Sequence, residues 1–157
     1  MESDNPQPVF VPPHSGKKLE FRSVTHKLTG QQTGGAYYLF ESEFGPESGN
    51  RLHVHRREDE FGYVLEGALE VRLSGQTLGV EAGSVAHLPK NFPHAIRNPL
   101  KTPSRYLFMA IPAGLDQWFD ALEGARRDGT LDDALHRKLP LIMGLNGWRS
   151  HELTLAG

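Results

Sequence analysis

The chain has 157 residues, close to the roughly 150 of one domain, and a chain of that size buries about 70% of its extended surface, enough for a core without staples. Its 17 basic and 19 acidic residues leave a net charge of −2 with no local Lys/Arg cluster, which excludes a strongly electropositive nucleic-acid footprint. With no cysteine, disulfides, thiolate metal sites and thiol nucleophiles are excluded.

The N-terminus, Met1 to Asn5, is acidic and polar with no apolar segment behind it. The longest apolar run, Tyr106 to Ile111, is far below the ~18 residues that cross a bilayer. A cytoplasmic protein with no membrane or nucleic-acid partner is the expectation. Pro6, Pro8, Pro12 and Pro13 mark residues 1–16 as an extended arm. Residues 17–112 read as β. In Ala36 to Phe44, Tyr38, Phe40, Ser42 and Phe44 share one face while Glu41 and Glu43 take the other. Short strands are expected at Arg51–His55, Glu60–Leu65, Leu69–Leu73, Leu78–Val80, Val85–Leu88, His94–Arg97 and Arg105–Ile111, separated by glycine and proline. Residues 113–157 change period: Leu115, Trp118, Phe119 and Leu122 form one stripe of a helix ending near Gly124. A second helical stretch follows the turn at Gly129–Asp133, with Leu131, Leu135 and Leu139 on its apolar face. The fold class is therefore all-β with a helical appendix.

Chemistry concentrates in three histidines and a carboxylate. His53 and His55 are one residue apart in an expected strand, so period-two alternation points both imidazoles to one face. Glu60 opens the next strand, which can return its carboxylate to the same place, and His94 opens a later one. Arg56, Arg57, Glu58 and Asp59 between them read as a solvated charged turn. Three imidazoles and a carboxylate suit one divalent transition metal: iron, nickel, manganese, copper or zinc.

The spacing around these residues resembles the cupin superfamily. Its first motif, H-x-H, three or four residues, Glu, six residues, Gly, is matched by His53, His55, Glu60 and Gly67. Its second, Gly, five residues, Pro-x-Gly, two residues, His, three residues, Asn, is matched by Gly83, Pro89, His94 and Asn98. The chain departs from the pattern twice, with Glu47 and Asn91 standing where the motifs carry glycine. Thr33-Gly34-Gly35-Ala36, Tyr63-Val64-Leu65-Glu66-Gly67 and Ile111-Pro112-Ala113-Gly114-Leu115 narrow the likeness to the single-domain, quercetin-dioxygenase-like cupins, over about residues 20–123. That resemblance implies a double-stranded β-helix (a jelly-roll barrel) with the metal inside, and a homodimer. In flavonol-cleaving members it implies a metal and a glutamate, here Glu60, that bind and deprotonate the substrate before dioxygen attack.

Other candidates follow from strand phase. Arg51, two residues before His53, would share the ligand face and anchor a substrate oxygen. Tyr38 and Phe40 would wall a substrate pocket. Gly62, two residues after Glu60, either leaves room beside the metal or marks a bulge. His87 reads as structural, and His14, His26, His136 and His151 take no role. Trp118 and Phe119 pack on the barrel, cover a partner or close its mouth. Phe61, Tyr63 and Leu65, opposite the ligand face, need a cover, and a homodimer with the proline-rich arm along its partner's edge supplies one. The expected activity is that of a metal-dependent dioxygenase, quercetin 2,3-dioxygenase-like, acting on a flavonol-like or other enolic or phenolic small molecule. The alternatives are a non-redox isomerase, cyclase or lyase, and a ligand-binding protein without turnover.

Overall fold

The computed structural model describes residues 6–20, 23–73 and 75–131. Nine strands precede one helix: β1 (Lys17–Leu19), β2 (Val24–Leu28), β3 (Tyr38–Phe44), β4 (Asp59–Glu66), β5 (Ala68–Leu73), β6 (Gln76–Glu81), β7 (Val85–Leu88), β8 (His94–Arg97), β9 (Ser104–Ile111) and α1 (Leu115–Arg127). They form a six-stranded sheet in the order β1-β2-β3-β9-β4-β7 and a three-stranded sheet in the order β6-β5-β8. Every pairing is antiparallel. Alternation decides which side chains enter. In β9, Ser104, Tyr106, Phe108 and Ala110 are buried and their neighbours are not. In β4, Glu60, Gly62 and Val64 are buried, while Tyr63 and Leu65 stay exposed. Inward residues of both sheets join one core, Val64, Tyr106 and Phe108 from the larger, Leu69, Val71 and Ile96 from the smaller. This is the mostly-β architecture expected, with a C-terminal helix.

Several boundaries differ from the sequence expectation. Residues 51–55 form no strand: His53 makes an isolated bridge with His94, and β8 otherwise pairs with β5. The segment is thus held at single points, without a ladder. α1 runs past Gly124 to Arg127, because that glycine lies where a Cβ would touch nothing and the last turn carries Arg126 and Arg127 against the negative helix end. The stop comes from Gly129 at φ 69°, after which the Thr130 N–H turns back to the Ala125 carbonyl at 2.8 Å. Residues 6–16 form no strand, and β1 takes the sheet edge. Leu131 packs against the core, whereas Leu135, Leu139, His136, His151 and residues 1–5 lie outside the described residues.

The two departures from the motif glycines keep the glycine conformation. Glu47 has φ 53° and Asn91 φ 67°. Asn tolerates the left-handed region well and Glu less so. The Asn91 N–H donates to the His55 carbonyl at 2.7 Å, so this turn ties directly to a candidate ligand.

Candidate metal centre

His53 and His94 are fixed by reciprocal backbone hydrogen bonds, His53 N–H to the His94 carbonyl at 2.9 Å and the reverse at 2.8 Å. That bridge brings the two rings to a centroid separation of 4.4 Å. His55 follows two residues on, its ring 5.0 Å from that of His53 and 5.3 Å from that of His94. Glu60 arrives on β4, between Ala110 and Leu88 of the neighbouring strands. All four side chains are buried, and their ligand atoms lie within 4.8 Å of one another.

The finer geometry suits a cation. Glu60 Oε2 is 3.5 Å from His55 Nε2 and 3.5 Å from His94 Nε2, while the Nε2 atoms of His53 and His55 are 3.2 Å apart. Neighbouring donors around an ion bound at about 2.1 Å stand roughly 3.0–3.4 Å apart, so little adjustment is needed. Tautomers agree. His53 gives its Nδ1–H to the Arg51 carbonyl at 2.8 Å and His94 its Nδ1–H to the Phe92 carbonyl at 3.0 Å. Each Nε2 is then a lone pair turned inward, and that of His94 is buried without a hydrogen-bond partner. Burial, reinforced by His53 and His94, holds the His55 imidazole well below its ordinary value of 6.5 and hence neutral, the form that binds metal.

A cavity of about 70 Å³ adjoins the centre, lined by His53, His55 and Glu60 on one side and by Phe40, Phe108, Trp118 and Phe119 among others. This is room for a few waters or a small ligand, well below the several hundred Å³ of a drug-sized pocket. Leu115, Trp118 and Phe119 of α1 are both core residues and cavity wall. The helix is pinned at its start, where the buried Asp116 accepts the Gly30 N–H at 2.8 Å.

The remaining candidates fall in different places. Phe40 lines the cavity, but Tyr38 stacks on it at 4.6 Å and contributes no lining. Tyr38 is fully buried, its hydroxyl has no hydrogen-bond partner, and burial, with Asp116, Asp120 and Glu60 adding, pushes that hydroxyl far above its ordinary value. Arg51 is exposed and outside the lining, since the strand needed to carry its phase is absent. Gly62 neither opens a space nor marks a bulge: it pairs regularly with Ala86 and Phe108, and the Phe108 ring covers it. His87 is exposed and stacks on Phe61 at 4.5 Å on the outer face. Glu58 corrects the reading of residues 56–59 as a wholly solvated turn, because it is 2% exposed. Phe108 sits in the unbroken apolar run Tyr106–Ile111, which does not show which face points inward, and no local signal marked Glu58.

Residues 40–110 match the family model described as "Cupin domain". A putative ethanolamine utilization protein q of Salmonella typhimurium LT2, of known structure, is 30% identical, with a TM-score of 0.51 over 58% of this chain and 69% of that one. The chain belongs to the cupin domain family. Among curated relatives, it is 28% identical over 89 residues to the tetracenomycin polyketide synthase protein TcmJ of Streptomyces glaucescens, covering 57% of this chain and 58% of that protein. It is 30% identical over 98 residues to the quercetin 2,3-dioxygenase of Bacillus subtilis strain 168, covering 60% of this chain and 28% of that one. Neither match spans two thirds of the relative. This cupin therefore carries a buried three-histidine, one-glutamate group arranged as a metal site. No helix among its described residues is long and apolar enough to cross a membrane.

Proposed function

We propose that this cupin is a cytoplasmic, metal-dependent dioxygenase acting on a small enolic or phenolic molecule. The observation that carries the reading is the convergence of inward lone pairs and one carboxylate on the wall of an aromatic cavity. His53, His55, Glu60 and His94 would hold one divalent transition ion, whether iron, nickel, manganese, copper or zinc. When bound, that ion supplies Lewis acidity and, if redox-active, a route for electrons to dioxygen, both of whose atoms enter the product. The chain's own residues do the rest. Glu60 faces the cavity and accepts the enol or phenol proton, which makes it the catalytic base. The stacked Phe40 and Phe108 rings, 5.4 Å apart, both line the cavity and give a conjugated substrate an apolar, aromatic wall. Trp118 and Phe119 line the cavity, whose volume of about 70 Å³ favours compact substrates over flavonol-sized ones.

The likeness to quercetin 2,3-dioxygenase supports oxygen chemistry. A non-redox isomerase, cyclase or lyase, in which Glu60 moves a proton next to a polarised carbonyl, is the second reading, favoured by the likeness to the polyketide synthase protein. The chain is further read as a homodimer, because Tyr63, Leu65 and Val85 are exposed on the outer sheet face, with Tyr63 and Val85 in direct register.

The test is a panel of enols and phenols from hydroxypyranones up to flavonols, offered to protein loaded with each metal in turn, followed by absorbance and oxygen uptake. Substrate loss with matching oxygen uptake is expected, largest for the compact members. Turnover without oxygen uptake would replace this reading with the second, and binding without turnover would leave a ligand-binding protein. Glu60→Gln, which keeps the size but removes the base, should retain part of the metal and lose most turnover; full activity would remove Glu60 from the mechanism.

A further inference from the structure

Glu58 is as enclosed as the ligands themselves, although Arg56 and Arg57 beside it face water. A buried carboxylate is costly unless a partner compensates it. Its Oε1 has no hydrogen-bond partner, the main-chain N–H groups of Arg57 and Glu58 supply part of its compensation, and its Oε2 lies 3.9 Å from Nδ1 of His55, whose side chain is 1% exposed. The other two imidazoles turn Nδ1 to main-chain carbonyls, at Arg51 and Phe92. At His55 the group facing Nδ1 is a carboxylate.

We propose that Glu58 is a positioning residue of the metal centre: it accepts the Nδ1–H of His55 and so holds that ring with its Nε2 lone pair toward Glu60 and His53. The separation of 3.9 Å is longer than a hydrogen bond, so the two side chains must draw together for the neutral imidazole to donate to the carboxylate. A carboxylate in this place does two things that a main-chain carbonyl does less well. It makes the imidazole a stronger electron donor, and it offsets part of the positive charge brought to a buried site. The centre would then hold one anionic ligand, Glu60, and one anionic supporter, Glu58. The inference rests on the metal-site reading of His53, His55, Glu60 and His94, and goes beyond it by assigning a residue outside that set.

The test compares the wild type with Glu58→Gln, Glu58→Ala and His94→Ala. Zn(II) affinity is measured by competition with a chromophoric chelator, the metal-free melting temperature by calorimetry, and the His55 tautomer by 15N NMR of the zinc-loaded protein. Glu58→Ala should weaken zinc binding by about 10- to 100-fold. Glu58→Gln, which keeps a neutral acceptor oxygen, should weaken it less and preserve the Nδ1–H tautomer. Metal affinity unchanged in both variants, with only the melting temperature lowered, would make Glu58 a structural residue and overturn the proposal. If the wild type binds zinc no better than His94→Ala, the metal-site reading itself falls, and this proposal with it.

Discussion

Replacing Gly62 with alanine would put a Cβ 2.7 Å from Cε1 and 3.1 Å from Cδ1 of Phe108, about 0.7 Å inside the 3.4 Å at which ordinary contact begins. The ring cannot swing freely, since it is 2% exposed and packs against Phe40 at 5.4 Å and Tyr106 at 5.9 Å. The space open to it is the cavity beside the metal centre. Overpacking of this kind costs about 1–3 kcal/mol. Removing a glycine from a strand interior returns about 0.5–1 kcal/mol through the unfolded chain. The net expectation is a loss of up to about 2.5 kcal/mol, centred near about 1 kcal/mol, or roughly 2–4 °C in melting temperature at that centre for a chain of this size. Calorimetry of the metal-free protein reads that loss. Titration of the metal-loaded protein with maltol, a compact enolic chelator, reads the narrowed cavity as weaker binding. Zinc affinity should be unchanged, because the new methyl meets Phe108 and no ligand. A variant as stable as the wild type, with undiminished maltol binding, would show that Phe108 yields at no cost and is not a fixed wall.

Three further outcomes are expected. Asn98 is fully buried, donating to the carbonyls of Phe44, Gly45 and Thr102 and accepting from the Leu100 N–H and the Ser104 hydroxyl. Asn98→Ala strands several of these groups and should cost about 3 kcal/mol or more in urea denaturation; a loss below about 1 kcal/mol would mean that water replaces the amide. Burial lowers the His26 imidazole below 6.5 even though Asp120 lies 3.3 Å away, so the unfolded chain takes up this proton more readily than the fold does. Stability should therefore fall as pH drops from about 6.5 toward the lowered value, and His26→Gln should flatten that fall when urea midpoints at about pH 7.5 and about pH 5 are compared; an unchanged slope refutes it. Sedimentation should give a species of two chains, and Tyr63→Glu with Val85→Glu should give one; a monomeric wild type at micromolar concentration refutes the dimer.

The ligand set and most strands were determined by the sequence itself, because their signals are local. Alternation over Tyr38–Phe44, the short apolar run Tyr106–Ile111, and the glycines and prolines flanking His94 constrain the backbone within a few residues. His53 and His55 were legible as a pair even though their strand was not formed, since any extended segment alternates whether or not it is paired. Tertiary structure decided what depends on neighbours distant in the chain. Residues 51–55 gain a single bridge to His94 and the Asn91 N–H on the His55 carbonyl, with no ladder, because β8 pairs with β5, which leaves Arg51 in solvent. Gly62 offers no room because Phe108 is its cross-strand partner, and Tyr38 is not wall because Phe40 stands on it. Glu58 sits in a run of charges that looks solvated from its composition. Its burial comes from the folded path that brings it to His55, and no pattern in the sequence encodes what an enclosed carboxylate faces.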